Sequence, residues 1–199
     1  MLSRHFLRTK VLQSLYAYSV SGGDDLGIIE KNFLHNIERL NDLGVTQVSA
    51  LLYFFEVAKK NIEDAKAKFC PTEDEMNPNM RLVDNRFVLQ LNNNYELKKA
   101  CERLKINWSE YSSIFRNMYA TFKTTATYKE YMNTENRDFK TEHEMVLATY
   151  RYILNYEPLA DVFVERNLFW EDDYFQVAQY THTILKELNE DLFVESPFT

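Results

Sequence analysis

Glycine and proline are scarce: the 199 residues hold four of each, about a third of their usual share of roughly 12%. So few turn residues exclude an architecture of many short strands and favour long helices joined by few connections. Cysteine is scarce too. Cys70 and Cys101 are too few for a disulfide scaffold, so the expectation is two reduced thiols in a cytosolic protein. Apolar runs never reach the roughly 18 residues a membrane-spanning helix needs, and no membrane partner is expected. Acid is missing from the first 23 residues, the first being Asp24.

Local catalytic signatures are also missing. His5, His35, His143 and His182 lie far apart, and no His-x-x-x-His or Cys-x-x-Cys spacing occurs. No glycine-rich phosphate loop is present, and neither cysteine has a sequence-adjacent histidine. The expectation is a non-enzymatic protein with no metal site and no cofactor. "TEHE" (141–144) reads as a solvated helix start capped by Thr141. "WEDDYF" (170–175) reads as an acidic helix start, its acids favourably placed at the positive end of the helix dipole.

What is present is apolar periodicity at helical spacing. It predicts helices over about 3–20, 26–42, 46–69, 86–91, 95–104, 109–122, 128–132, 141–154, 159–166 and 172–192. Ser3 and Ser109 are expected as caps, and Gly22–Gly23 and Gly44 as helix breaks. "CPTEDEMNPNMRLVDN" (70–85) lacks a period and holds two prolines. It reads as a loop between an N-terminal helical subdomain (1–69) and a second helical region (86–199) that packs separately or into the same domain. With 45% hydrophobic and 15% aromatic residues, the core is expected to be rich in Phe and Tyr. The fold class is an all-α multi-helix bundle.

Charge is unevenly spread. The chain carries 23 basic and 30 acidic residues, a net −7. Arg4, Arg8 and Lys10 give the first 20 residues +3, which leaves −10 for the remainder. Contact with a polyanion is therefore expected only near the N-terminus. In the first helix Leu7, Val11, Leu15 and Tyr18 recur on one stripe, widened by Leu12 and Tyr16, and are expected to anchor it in the core. At about 100° per residue Arg8 falls inside that stripe, between Leu15 and Leu12, and Arg4 lies a turn earlier. Burying either charge alone is costly. The first turns are expected to project past the helices that cover the stripe, leaving Arg4, His5, Arg8 and Phe6 open to a ligand. Arginine suits phosphate, and an aromatic ring can stack on an unpaired base. Two other readings stay open: a basic helix end paired with the chain's own acids, and an N-terminal presequence.

"RHFLRTKVLQSLYAYS" resembles the opening helix of the NusB-type transcription antitermination factors, in which an arginine-rich start leads into the pattern carried here by Leu12, Gln13, Leu15 and Tyr16. "PTEDEMNPNMRLVDNRFVLQL" (71–91), "YKEYM" (128–132) and "FWEDDYF" (169–175) resemble segments of the long form found in Bacteroidetes. The resemblance implies a NusB-like N-terminal part with a lineage-specific helical insertion. It also implies regulation of transcription through binding of a single-stranded antiterminator RNA (boxA) by the first helix. Arg4 and Arg8 match the family's basic positions and are expected on phosphate, with Lys10 and His5 in support. The implied partners are the small-subunit ribosomal protein that serves as NusE and the transcription complex. The family continues into a second helical half, marked by an Asn-Glu pair and a later Asn-Gly, that supplies part of its protein-partner surface. This chain ends at "VESPFT" with neither, which reads either as a truncated product or as a divergent relative that has lost that half, and complete antitermination function is not expected from it. The alternative is a helical protein-interaction scaffold that binds no nucleic acid.

Overall fold

The computed structural model describes residues 4–21, 26–167 and 170–188. Helices are the regular structure of these residues, and no strand occurs among them. The expected Ser3 cap, the Gly22–Gly23 stop and the end of the last expected helix, 189–192, lie outside them.

The spine is a single 41-residue helix, α2 (Leu26–Lys66), which follows α1 (Arg4–Ser21). At about 1.5 Å per residue it runs roughly 60 Å. Around its second half pack α4 (Arg86–Asn93), α5 (Tyr95–Arg103), α6 (Ser112–Phe122), α8 (Phe139–Leu154) and α10 (Tyr174–Glu187). The short α3 (Glu73–Met76), α7 (Ala126–Asn133) and α9 (Glu157–Arg166) complete the series.

Gly44 is not a break. It sits inside α2 where α10 crosses, and a Cβ built there would lie 3.1 Å from Thr181 Oγ1 and 3.6 Å from Val177 Cγ1. The glycine lets two helices approach closely. That contact outweighs the roughly 1 kcal/mol by which glycine disfavours a helix interior.

From Leu40 to Ala58 α2 is almost continuously covered: Leu43, Val48, Leu51 and Phe54 are wholly buried. Aromatic rings meet edge to face around it, Phe54 with Tyr119 and Phe122, and Tyr53 with Phe115. Such pairs add specificity to apolar burial. Several of the polar groups inside are paired with one another. Gln47 donates to the Tyr174 carbonyl at 3.1 Å and accepts from the Tyr150 hydroxyl at 3.0 Å. Trp108 Nε1 donates to Ser49 Oγ at 2.9 Å.

One core cluster takes in residues from both sides of the 70–85 segment, from Leu40 to Leu188. The segment therefore straps the bundle instead of separating two cores. Its start is fastened by a capping box, Thr72 with Glu75, and by the Lys68–Glu75 ion pair. Further on, Asn79 Nδ2 donates to the Met132 carbonyl at 3.0 Å. The buried Arg81 donates to the carbonyls of Thr134 and Asn136, and its guanidinium lies 4.5 Å from the Tyr131 ring centre. Asn85 caps α4 and donates to the Glu142 carbonyl at 2.9 Å.

Two helix starts differ from expectation. α8 is capped by Asp138, whose carboxylate accepts from Thr141 N at 2.7 Å, so Thr141 is a recipient and not the cap. Asn136 and Thr141 hold the Asp138 carboxyl below the usual range, the Thr141 hydrogen bonds contributing most. Ser109 opens a 3₁₀ turn, Ser109–Tyr111, ahead of α6, and the side-chain acceptor there is Asn107.

"TEHE" is not solvated either. Glu142 is buried, its Oε2 accepting from Arg86 N at 2.9 Å and Arg86 Nε at 3.1 Å. His143 stacks on Phe87, with centroids 4.4 Å apart. A carboxylate and an imidazole adjacent in sequence both turn inward because α4 and α10 flank this end of α8 on two sides.

Candidate functional site

α1 and the first third of α2 form an arm at one end of the bundle. α1 rests on it through a polar face. Lys10, Gln13, Ser14 and Ala17 line a cleft of about 330 Å³ with Asn36, Arg39, Leu40 and Trp170. Small side chains at 14 and 17 allow the helices to come close. Further along the arm Ser14, Ala17 and Tyr18 face Ile29, Asn32 and Asn36.

The expected core stripe is therefore only partly a core stripe. Leu7 and Tyr18 are half-buried, but Val11 and Leu15 are 41% and 48% exposed, and Leu12, Tyr16 and Val20 are about 70% exposed. Helical periodicity correctly groups these residues on one face. It says nothing about which face the neighbouring helix covers, and here the covered face is shifted to the side that Leu7 and Tyr18 share with Lys10 and Ser14.

The basic residues separate into two kinds. Arg4, His5 and Arg8 are exposed on the first two turns, and no hydrogen bond or ion pair of the Arg4 or Arg8 side chain occurs among the described residues. The arginine forks are thus free to hold a planar anion. Lys10 is committed. Its ammonium lies 2.6 Å from Asp173 Oδ1 and 2.7 Å from Oδ2, and the two side chains are only 14% and 10% exposed. The same ammonium lies 5.5 Å from the Phe6 ring centre. "WEDDYF" supplies the other half of this junction. Asp173 begins α10 and receives Lys10, while the buried Trp170 donates from Nε1 to the Arg39 carbonyl at 3.2 Å. Nothing in the sequence around Lys10 signals a partner 163 residues away.

Elsewhere the bundle brings His143 and His182 together at the α8–α10 seam. His143 Nε2 lies 2.7 Å from the Leu185 carbonyl. His182 stacks over Tyr150, and its Nε2 is buried with no hydrogen-bond partner among the described residues. Burial, then Arg151, Lys186 and His143, push its pKa down. Beside α5, an open cleft of about 400 Å³ is lined by Tyr53, Glu56, Cys101 and Trp108 among others. Burial raises both the Cys101 thiol and the Glu56 carboxyl, which favours an inert thiol over an activated one.

Among the described residues no group of three His, Cys, Asp or Glu is arranged to hold a metal ion, and no helix is long and apolar enough to cross a membrane. Compared with protein-family models, curated proteins and solved structures, the chain matches none.

Proposed function

We propose that this chain is a non-enzymatic RNA-binding regulator of transcription that grips a single-stranded RNA with the first two turns of α1. The observation that carries this reading is the uncommitted Arg4–Arg8 pair, exposed one turn apart in the acid-free N-terminal stretch of an acidic chain. Arg4 and Arg8 hold phosphates through bidentate hydrogen bonds, with His5 beside them. Lys10 serves differently from Arg4 and Arg8. It positions the helix by holding Asp173, and it meets phosphate only if that pair opens. The likeness of "RHFLRTKVLQSLYAYS" to the NusB-type opening helix supports antitermination on a boxA-like element, with a NusE-type ribosomal protein as companion.

Two or three phosphate contacts are few, so binding by α1 alone is weak and falls with salt at a log–log slope of about −2. The test is a titration of fluorescent single-stranded RNA at low salt. Arg4→Ala with Arg8→Ala is expected to weaken binding at least tenfold without altering the helical spectrum. Equal affinity of wild type and double variant overturns the reading.

A second reading, a helical interaction scaffold that binds no nucleic acid, is favoured by a separate observation. Five large apolar side chains of α1, Val11, Leu12, Leu15, Tyr16 and Val20, are exposed. That reading expects no RNA retention and a stable protein complex instead.

A further inference from the structure

Four segments converge on the cleft beside α5: α2, the end of α4, α5 itself and residues 106–109. No residue of α1 lines it. The covered part of its lining is apolar. Leu91, Leu97 and Trp108 are buried, and Leu52, Cys101 and Ile106 are half-buried. The indole N–H of Trp108 is already taken by Ser49 Oγ. The volume, about 400 Å³, falls within the roughly 300–1,000 Å³ of small-molecule sites, which join an apolar lining to a few polar groups.

The exposed part of the lining carries the charge. Two carboxylates, Glu56 and Glu102, stand there against one cation, Lys98. Lys98 and Glu102 share α5 one turn apart, whereas Glu56 comes alone from α2. No hydrogen bond or ion pair of the Glu56 side chain occurs among the described residues. Partial burial raises its carboxyl, and no neighbouring cation opposes that rise.

A partly desolvated carboxylate beside an apolar surface selects its ligand. A purely apolar molecule would strip more water from Glu56 and return no hydrogen bond. An anion would meet two carboxylates on a chain of net −7. A metal ion needs several ligands together, and no group of three is so arranged among the described residues. An organic cation satisfies both halves of the cleft. Its body covers the apolar lining, and its N–H groups make charge-assisted hydrogen bonds to the carboxylate.

We infer that the cleft is a binding site for a small organic ammonium, its apolar body on Leu52, Leu97 and Ile106 and its nitrogen on Glu56. The site is separate from the Arg4–Arg8 surface, and its test uses no RNA. The probe is phenethylamine, protonated at neutral pH, titrated into the isotope-labelled full chain and followed by amide NMR shifts. Saturable binding with a Kd on the order of 1 mM or tighter is expected, with the shifts gathered at 52–56, 97–102 and 106–109. Hydrocinnamate, of similar size and opposite charge, is expected not to bind. Glu56→Gln is expected to weaken amine binding about tenfold, with the helical spectrum and melting temperature unchanged, since the residue is exposed. Glu102→Gln removes the same charge from the lining and is expected to weaken it by about twofold at most. A titration that does not saturate, equal binding of amine and acid, or an affinity that ignores Glu56→Gln overturns the inference. So does equal weakening by the two glutamine variants, or uptake of a lysine-bearing peptide with no binding of the free amine.

Discussion

Lys10 and Asp173 meet across 163 residues of sequence, ammonium to carboxylate at 2.6 and 2.7 Å, with little of either side chain open to water. The pair joins the first helix to the start of the last. It makes the acid-free helix an ordered part of an acidic protein, and it spends one of three cations doing so. Lys10→Ala leaves Asp173 without its partner in a poorly hydrated site and is expected to destabilise the chain by about 2 kcal/mol, less than for a fully buried pair. Lys10→Met with Asp173→Asn, which removes both charges, is expected to recover more than half of that. Urea denaturation gives the sum, and hydrogen exchange gives the location: amides of α1 lose protection while those of α8 do not.

Gly44 makes a prediction with a built-in control. Alanine there gains helix propensity but presses on Thr181 Oγ1 at 3.1 Å, and Thr181 is buried. Gly44→Ala is expected to cost about 1 kcal/mol in the wild type, the overlap outweighing a propensity gain of similar size. In a Thr181→Ala background the same change is expected to be neutral or stabilising. Thermal melts of the four proteins close the cycle, and a cost independent of residue 181 would sink the explanation.

Much of the all-helical fold could be read directly from periodicity and the shortage of glycine and proline. α4 to α6, α8, α9 and the start of α10 fall within a few residues of expectation, apart from their caps. The misreadings share one cause. Gly44 looks like a stop in isolation, because the α10 crossing that explains it lies more than 130 residues away. The outward strip of α1 was grouped correctly and oriented wrongly, since periodicity identifies a face and only a packed neighbour says whether that face is covered. Glu142, His143 and Arg81 carry charge or polarity that reads as surface. Each is turned inward by a partner far off in the chain: Arg86, Leu185, and the carbonyls of Thr134 and Asn136. Of the candidate site, Arg4, His5 and Arg8 were legible because exposure at a helix start depends on few long-range contacts. The Lys10 commitment was not.

The α8–α10 seam carries a pH dependence whose sign follows from His182. Burial is the main cause of its lowered pKa, with Arg151, Lys186 and His143 adding repulsion. The folded chain therefore holds this imidazole neutral at pH values where the unfolded chain, near its ordinary 6.5, takes up a proton. Stability from this group is fully present above pH 6.5 and is lost as pH falls through that value toward the folded pKa. His182→Gln is expected to flatten the fall in melting temperature between pH 7 and pH 5. An unchanged slope in the variant would sink the assignment of this acid sensitivity to His182.

Arg81 tests whether the 70–85 strap holds the bundle together or merely lies on it. Its guanidinium is buried, donates to two carbonyls of the segment that follows α7, and stacks on Tyr131. A planar fork meets two carbonyls and a ring at once, whereas a lysine ammonium reaches one group and buries its charge less well. Arg81→Lys is therefore expected to be nearly as harmful as Arg81→Ala, each costing about 2–4 kcal/mol. The damage should spread beyond the strap, because Tyr131 also donates to the Arg81 carbonyl and contacts Asn85, which caps α4. Limited proteolysis separates the outcomes. If the strap is structural, both variants gain cleavage sites near 77–84 and near 133–138 together, and their urea midpoints fall. Cleavage confined to 77–84 at an unchanged midpoint would mean that the strap closes over a bundle that stands without it.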